Sequence, residues 1–144
     1  MRLLELIRRV RTLTRDFTNS IFREQDILDF INEGIYRVKQ IIPELEKLER
    51  LVEKEEEPKM LPKEYHHLLA VYSASRCFGQ DERHYQATTL MNEFEIKMDK
   101  LKEDIENGII KIIDPDTGEE IVSNANDTDY VNLEAYWGRP RRDL

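Results

Sequence analysis

ATTLMNEFEIKMDKLKEDI, residues 87–105, decides the fold class. Within it Ala87, Met91, Phe94, Met98, Leu101 and Ile105 step by four, three, four, three and four residues. That rhythm puts all six on one face of a helix, as a heptad seam. The helix is expected to start near Asp81 and to end at Asn107-Gly108. About three heptads suit a long bundle helix and are too short for an independent coiled coil. Between Asp81 and Glu106 eight acidic side chains face four basic ones, a net charge of −4.

Upstream, Pro62 is suited to the first position of a third helix, and Gly79 is suited to cap its end near Phe78. Tyr65, Leu68, Leu69, Tyr72 and Arg76 share one face, and Ala70, Ser73, Ala74 and Cys77 the other. Small residues on a second face let neighbours approach closely, so this helix is expected at the centre. Before it, residues 44–58 carry seven glutamates against Lys47, Arg50 and Lys54, a net charge of −4. Leu45, Leu48, Leu51 and Val52 keep helical spacing, so an extra helix is possible there. The expectation is an exposed connector with room for a short strand pair, because Glu53 to Glu57 closes it before Pro58.

A second helix is read from about Glu24 to Ile42, with Ile27, Leu28, Ile31, Ile35, Val38, Ile41 and Ile42 as its stripe. Glu24 and Asp26 favour the positive end of the helix dipole, and Phe22 is placed to staple onto Ile27. Arg23 is a poor N-cap, and Pro43 stops the helix. The first helix, about Arg2 to Leu13, has Leu3, Leu6, Ile7, Val10, Leu13 and Phe17 at three- and four-residue steps. Arg8, Arg11 and Arg15 share another face. Residues 1–15 hold five arginines against Glu5, a net charge of +4. This is either a solvated face or a patch for an acidic partner.

Downstream of the seam the period changes to two. Ile109 to Ile113 and Glu120 to Val122 flank Asp114-Pro115-Asp116-Thr117-Gly118, the marks of a β-hairpin. Two strands alone are marginal in water, so the hairpin needs a second surface, from its own bundle or from another chain; with no evident home in the bundle, it is expected to be a part meant for another chain. From Ser123 periodicity is lost. Tyr130, Leu133, Tyr136 and Trp137 are followed by Arg139, Arg141 and Arg142, and aromatic residues with arginine are what interface anchors are made of. An extended arm that orders on a partner is expected. The whole reads as a mainly α chain: a small helical bundle of about four helices over 1–108, a hairpin over 109–122 and an extended C-terminal arm over 123–144.

Composition narrows the function. The chain has 144 residues and a net charge of −8, with 36% charged residues, 5 Gly and 5 Pro, which suits one helix-rich domain. No segment nears the roughly 18 consecutive apolar residues of a membrane span. MRLLELIRRVRTLTRD scatters arginines among apolar residues, unlike a secretory leader. Cys77 is the sole cysteine, so no intrachain disulfide forms. No Gly-rich phosphate loop is present. His66 and His67 are neighbours and point about 100° apart on a helix, so they cannot share a metal. A site built from His84, Cys77 and one of them is a remote possibility. Cys77 lacks a marked orienting group for nucleophilic work and reads as a buried structural cysteine. No enzyme, cofactor or metal is expected.

FREQDILDFINEGIYRVKQIIPE, residues 22–44, resembles the early helix of head–tail adaptor (head-completion, connector) proteins of tailed bacteriophages. The family pattern has an aromatic residue, acidic residues, an Asn-Glu-Ala/Gly helix and a proline. Phe22, Asp26, Ile27, Asn32, Glu33, Gly34 and Pro43 stand in those places. LPKEYHHLLAVYSASRCFGQDERHYQATTLMNEFEIKMDKLKEDIENG, residues 61–108, looks like the family's second half. The resemblance implies a structural virion protein at the neck, assembled in the host cytoplasm. It implies self-assembly into a ring, of twelve copies, under the portal protein. That ring extends the DNA channel and meets tail or neck proteins, and genome DNA passes its lumen without specific binding. It also implies that the arm, with Tyr130, Leu133, Tyr136, Trp137, Arg139, Arg141 and Arg142, docks on the portal. Subunit contacts are expected between Arg8, Arg11 and Arg15 of the basic first helix and Glu95, Asp99 and Glu103 of the acidic fourth. The alternative is a small winged-helix-like DNA-binding regulator, against which no helix clusters Arg, Lys, Asn and Gln.

Overall fold

A computed structural model describes residues 1–122, so the arm expected over 123–144 lies outside the described residues. Four helices and one hairpin follow in chain order: α1 (Leu3–Thr14), α2 (Glu24–Ile41), α3 (His67–Gln80), α4 (His84–Glu106), β1 (Ile112–Ile113) and β2 (Glu120–Ile121). Single 3-10 turns at Pro43–Leu45 and Lys63–Tyr65 follow α2 and precede α3.

α3 is the central helix: α1, α2 and α4 all pack on it, while α1 and α4 scarcely touch each other. Its composition explains this. Leu68 to Ser75 and then Cys77 and Phe78 are buried on every side, and Ala70, Ser73 and Ala74 let neighbouring backbones come close. Ser73 Oγ donates to the Ile27 carbonyl of α2 at 3.0 Å, and Ser75 Oγ donates to the Ala87 carbonyl of α4 at 2.6 Å. The α4 seam closes the core from the other side, with Phe94, Met98, Leu101 and Ile105 buried. Tyr72 meets Phe94 edge to face, ring centroids 5.0 Å apart.

Five local readings are corrected. Phe17 is not on the α1 stripe: Arg15 takes a left-handed conformation (φ 58°) that ends the helix, and Phe17 is 71% exposed. Gly79 does not cap α3. The helix runs through it to Gln80, and the left-handed turn falls on Glu82 (φ 59°). Residues 44–58 form neither an exposed connector nor a strand pair. Leu45, Leu48 and Leu51, with Leu61 beyond, are each at most 3% exposed, because the segment presents a leucine inward at every third residue while its glutamates, apart from the buried Glu44, stay in water. The segment is also fastened at its middle and near its C-terminal end. Asn32 of α2 donates to the Leu51 carbonyl and accepts from the Leu51 N–H, and the Leu3 and Leu4 N–H groups of α1 donate to the carbonyls of Glu56 and Lys54. Paired strand residues begin only at Ile112, and the loop spans 114–119, with Ile113 opposite Glu120. Finally, the hairpin has a home in its own bundle. Ile112 is 1% exposed in the core, and Lys47 Nζ holds Asp114 at 3.0 Å and Asp116 at 3.1 Å.

Candidate interaction surfaces

The three arginines expected on one face of α1 do different things. Arg8 and Arg15 are exposed, and neither has an ion pair among the described residues; Arg9 beside them is the same. Arg11 is turned inward. Its Nη1 donates to Asp16 at 2.6 Å and to the Phe22 carbonyl at 2.5 Å, and its side chain is only 12% exposed. It closes the loop between α1 and α2.

The acidic residues of α4 divide similarly. Glu95 is engaged by Arg37 of α2 through two bonds of 2.8 and 3.1 Å, a fork geometry that raises the Arg37 pKa. Glu103 stands 4.0 Å from Lys100 of its own helix. Asp99 is exposed and has no ion pair among the described residues. Of the six residues expected at subunit contacts, Arg8, Arg15 and Asp99 have no ion pair among the described residues, Glu103 is met only by Lys100 of its own helix, and Arg11 and Glu95 are held by other elements of the fold. The seven arm residues lie outside the described residues.

A second polar network ties α2 to α3. Tyr72 donates to Glu33 Oε1 at 2.7 Å, and Arg76 Nε stands 2.8 Å from the same oxygen. Burial first, and then the Glu33 carboxylate, push the Tyr72 hydroxyl well above its ordinary pKa. These residues lock α2 to α3.

Titratable groups in the core are similarly occupied. Cys77 is buried, and desolvation pushes its thiol up to about 12, a thiol rather than a nucleophilic thiolate at neutral pH. His66 is 2% exposed, with Nε2 at 2.7 Å from the Leu61 carbonyl and Nδ1 at 2.7 Å from the Met1 amino group. Among the described residues no three His, Cys, Asp or Glu side chains are grouped to hold a metal. No described helix is long and apolar enough to cross a membrane.

One unfilled surface with apolar walls lies at an end of the bundle. Because α1 and α4 do not close over α3, a groove of about 490 Å³ opens where α1 and α3 end and α4 begins. Leu13, Phe78, Tyr85 and Leu90 give it apolar walls, and Arg15 and Arg83 give it a basic rim. Tyr85 is 83% exposed and, with Leu13, Phe78 and Leu90, makes the apolar part of the groove. Sequence reading missed this groove. The one signal was Tyr85 itself, an aromatic residue at the start of α4 that does not fall on the seam.

Comparisons with protein-family models, with curated proteins and with solved structures find no match to this chain.

Proposed function

We propose that this chain is a structural subunit that assembles head to tail into a ring, and that the ring is a head–tail adaptor of a tailed bacteriophage. The observation that carries the reading is the separation of charge on a self-contained bundle. Arg8 and Arg9 on α1 and Arg15 at its end have no ion pair among the described residues, in a chain whose net charge is −8, and neither has Asp99 on α4. Two different, complementary surfaces on one subunit generate a heterologous contact, which closes into a ring when the rotation per subunit allows it. An excess of negative charge suits a channel through which DNA slides without adhering. The resemblance of residues 22–44 and 61–108 to the adaptor family names the assembly, with the portal and tail or neck proteins as partners. The arm supplies the portal anchor in this reading, with Trp137 as its central side chain.

Light scattering with and without a portal ring tests it. Alone, the chain should be a monomer or small oligomer; with portal it should form a stoichiometric ring. Trp137→Ala should weaken portal binding by about 2 kcal/mol or more, the scale of an interface hot spot. No association at micromolar concentration would overturn the adaptor reading. So would sequence-selective duplex binding at about 150 mM salt, with the steep salt slope that phosphate contacts produce.

A further inference from the structure

We propose that the groove at the end of α1, α3 and α4 is the seat for residues 127–137 of a second copy of this chain. Three observations converge on that occupant. The first is chemical fit. The groove has apolar walls, Leu13, Phe78, Tyr85 and Leu90, under a rim of Arg15 and Arg83. Residues 127–137 read DTDYVNLEAYW, in which Tyr130, Val131, Leu133, Tyr136 and Trp137 alternate with Asp127, Asp129 and Glu134 and with no basic residue. Apolar side chains that fill a groove, with acids spaced to meet its rim, are what the groove lacks.

The second is charge. Arg15 has no ion pair among the described residues. Arg83 Nε is only surface-paired, 3.0 Å from Asp81 with both groups about half exposed, and its guanidinium stands 6.0 Å from the centre of the Phe78 ring. A carboxylate arriving there displaces little and gains two cations.

The third is reach. The chain enters the hairpin at the C-terminal end of α4, where the Ile109 and Ile110 N–H groups donate to the Asp104 carbonyl, whereas the groove lies on the first two turns of that helix. The helix from Leu90 to Glu106 is about 24 Å long at 1.5 Å per residue. The eight residues from Val122 to Tyr130 span at most about 28 Å when fully extended. To seat Tyr130 in its own groove, a chain would have to run nearly straight along its own bundle, giving up the freedom of every residue on the way. A neighbour stacked head to tail receives the same residues without that demand. The contact is heterologous, arm to groove. It goes beyond the portal role of the arm: it forms without portal or DNA and yields small oligomers, in which the arm sits on a neighbour until a portal is there to receive it.

The test uses the full chain with the photo-crosslinking residue p-benzoylphenylalanine in place of exposed Gln86, which lines the groove. Unlabelled and nitrogen-15-labelled chains are mixed at micromolar concentration without portal, irradiated and digested, and the crosslinked peptides are weighed. The expected result is crosslinks from position 86 into residues 127–137 that join light chains to heavy ones. Arg15→Glu should cut their yield about tenfold, since a like charge now faces the acids. Lys39→Glu, a reversal on α2 away from the groove, should leave the yield unchanged, with circular dichroism confirming that both variants are folded. Crosslinks that join only chains of the same label would assign the groove to the chain's own arm and overturn the proposal. Crosslinks outside 127–137, or none, would also overturn it. A portal experiment that fails while mixed-label crosslinks persist would remove the adaptor reading and leave this one standing.

Discussion

Arg11 and Asp16 form the most buried ion pair of the described residues, 2.6 Å apart, with side-chain exposures of 12% and 0%. Asp16 also accepts from the backbone N–H groups of Ser20, Ile21 and Phe22 at 3.0 to 3.1 Å. One carboxylate thus replaces the hydrogen bonds that the loop between α1 and α2 would otherwise take from water. Asp16→Ala should cost about 3–5 kcal/mol, because it strands a nearly buried guanidinium along with three donors. Asp16→Asn keeps one acceptor oxygen and should recover part of that loss. Urea unfolding of both variants measures the difference.

Acid should destabilise the protein in two windows. Burial is the leading effect on His66 and lowers its pKa; the nearby Met1 amino group acts in the same direction, and the Leu61 carbonyl and Glu57 only partly oppose them. The unfolded chain therefore takes a proton near 6.5 that the folded chain resists. Stability from this group is full above pH 6.5 and declines as pH falls from there toward the lowered folded value. His67 is lowered for the same first reason and adds to the slope. At Asp16 burial opposes ionisation, yet the backbone donors and Arg11 outweigh it and hold the pKa below 3.8. Its contribution is present above 3.8 and is lost as pH falls through the lowered folded value. Melting temperature against pH should show both declines, and His66→Gln should flatten only the upper one.

Gly34 of α2 lies directly against the Tyr72 side chain of α3. A Cβ there would lie 3.1 Å from Cδ1 and 3.2 Å from Cγ of Tyr72. The ring cannot simply move, since its hydroxyl is bonded to Glu33 and it packs against the Phe94 ring. Gly34→Ala gains about 1 kcal/mol of helix propensity. Overpacking against the held ring costs about 1–3 kcal/mol. The expected net effect is a lower melting temperature in calorimetry, with the helical signal of the folded state unchanged.

The hairpin is attached through Ile112. Ile112→Ala should cost about 2–4 kcal/mol, the range for emptying a buried isoleucine site. Hydrogen exchange should locate the effect. The amides of Asp114 and Gly118, which donate to the carbonyls of Glu119 and Asp114, should exchange sooner than those of α3.

The bundle was legible because its signals are periodic. Ala87 to Ile105 and Ile27 to Val38 repeat at helical steps, and the small residues of α3 announced a crowded centre. What escaped were features that join residues of unlike type across an element's end. Arg11 looked like a surface charge because its partner, Asp16, lies beyond the helix terminus. Leu45, Leu48 and Leu51 were outvoted by seven glutamates, although one inward side chain per turn is enough to anchor a segment. Gly79 invited a cap that the chain places at Glu82, since a glycine inside a helix costs only about 1 kcal/mol. The groove needed knowledge of which helices fail to meet, and no single stretch of sequence carries that.

The docking of β1 and β2 on the bundle fixes the point from which residues 123–144 depart. A tether with a fixed origin holds its far end at high local concentration around each docking site. In a closed ring every subunit would carry the same origin in the same orientation, so the arms would form a regular array. Contacts too weak to hold one subunit would then sum to avidity, and a ring seeded with a few armless chains would lose its grip far more steeply than in proportion to their number.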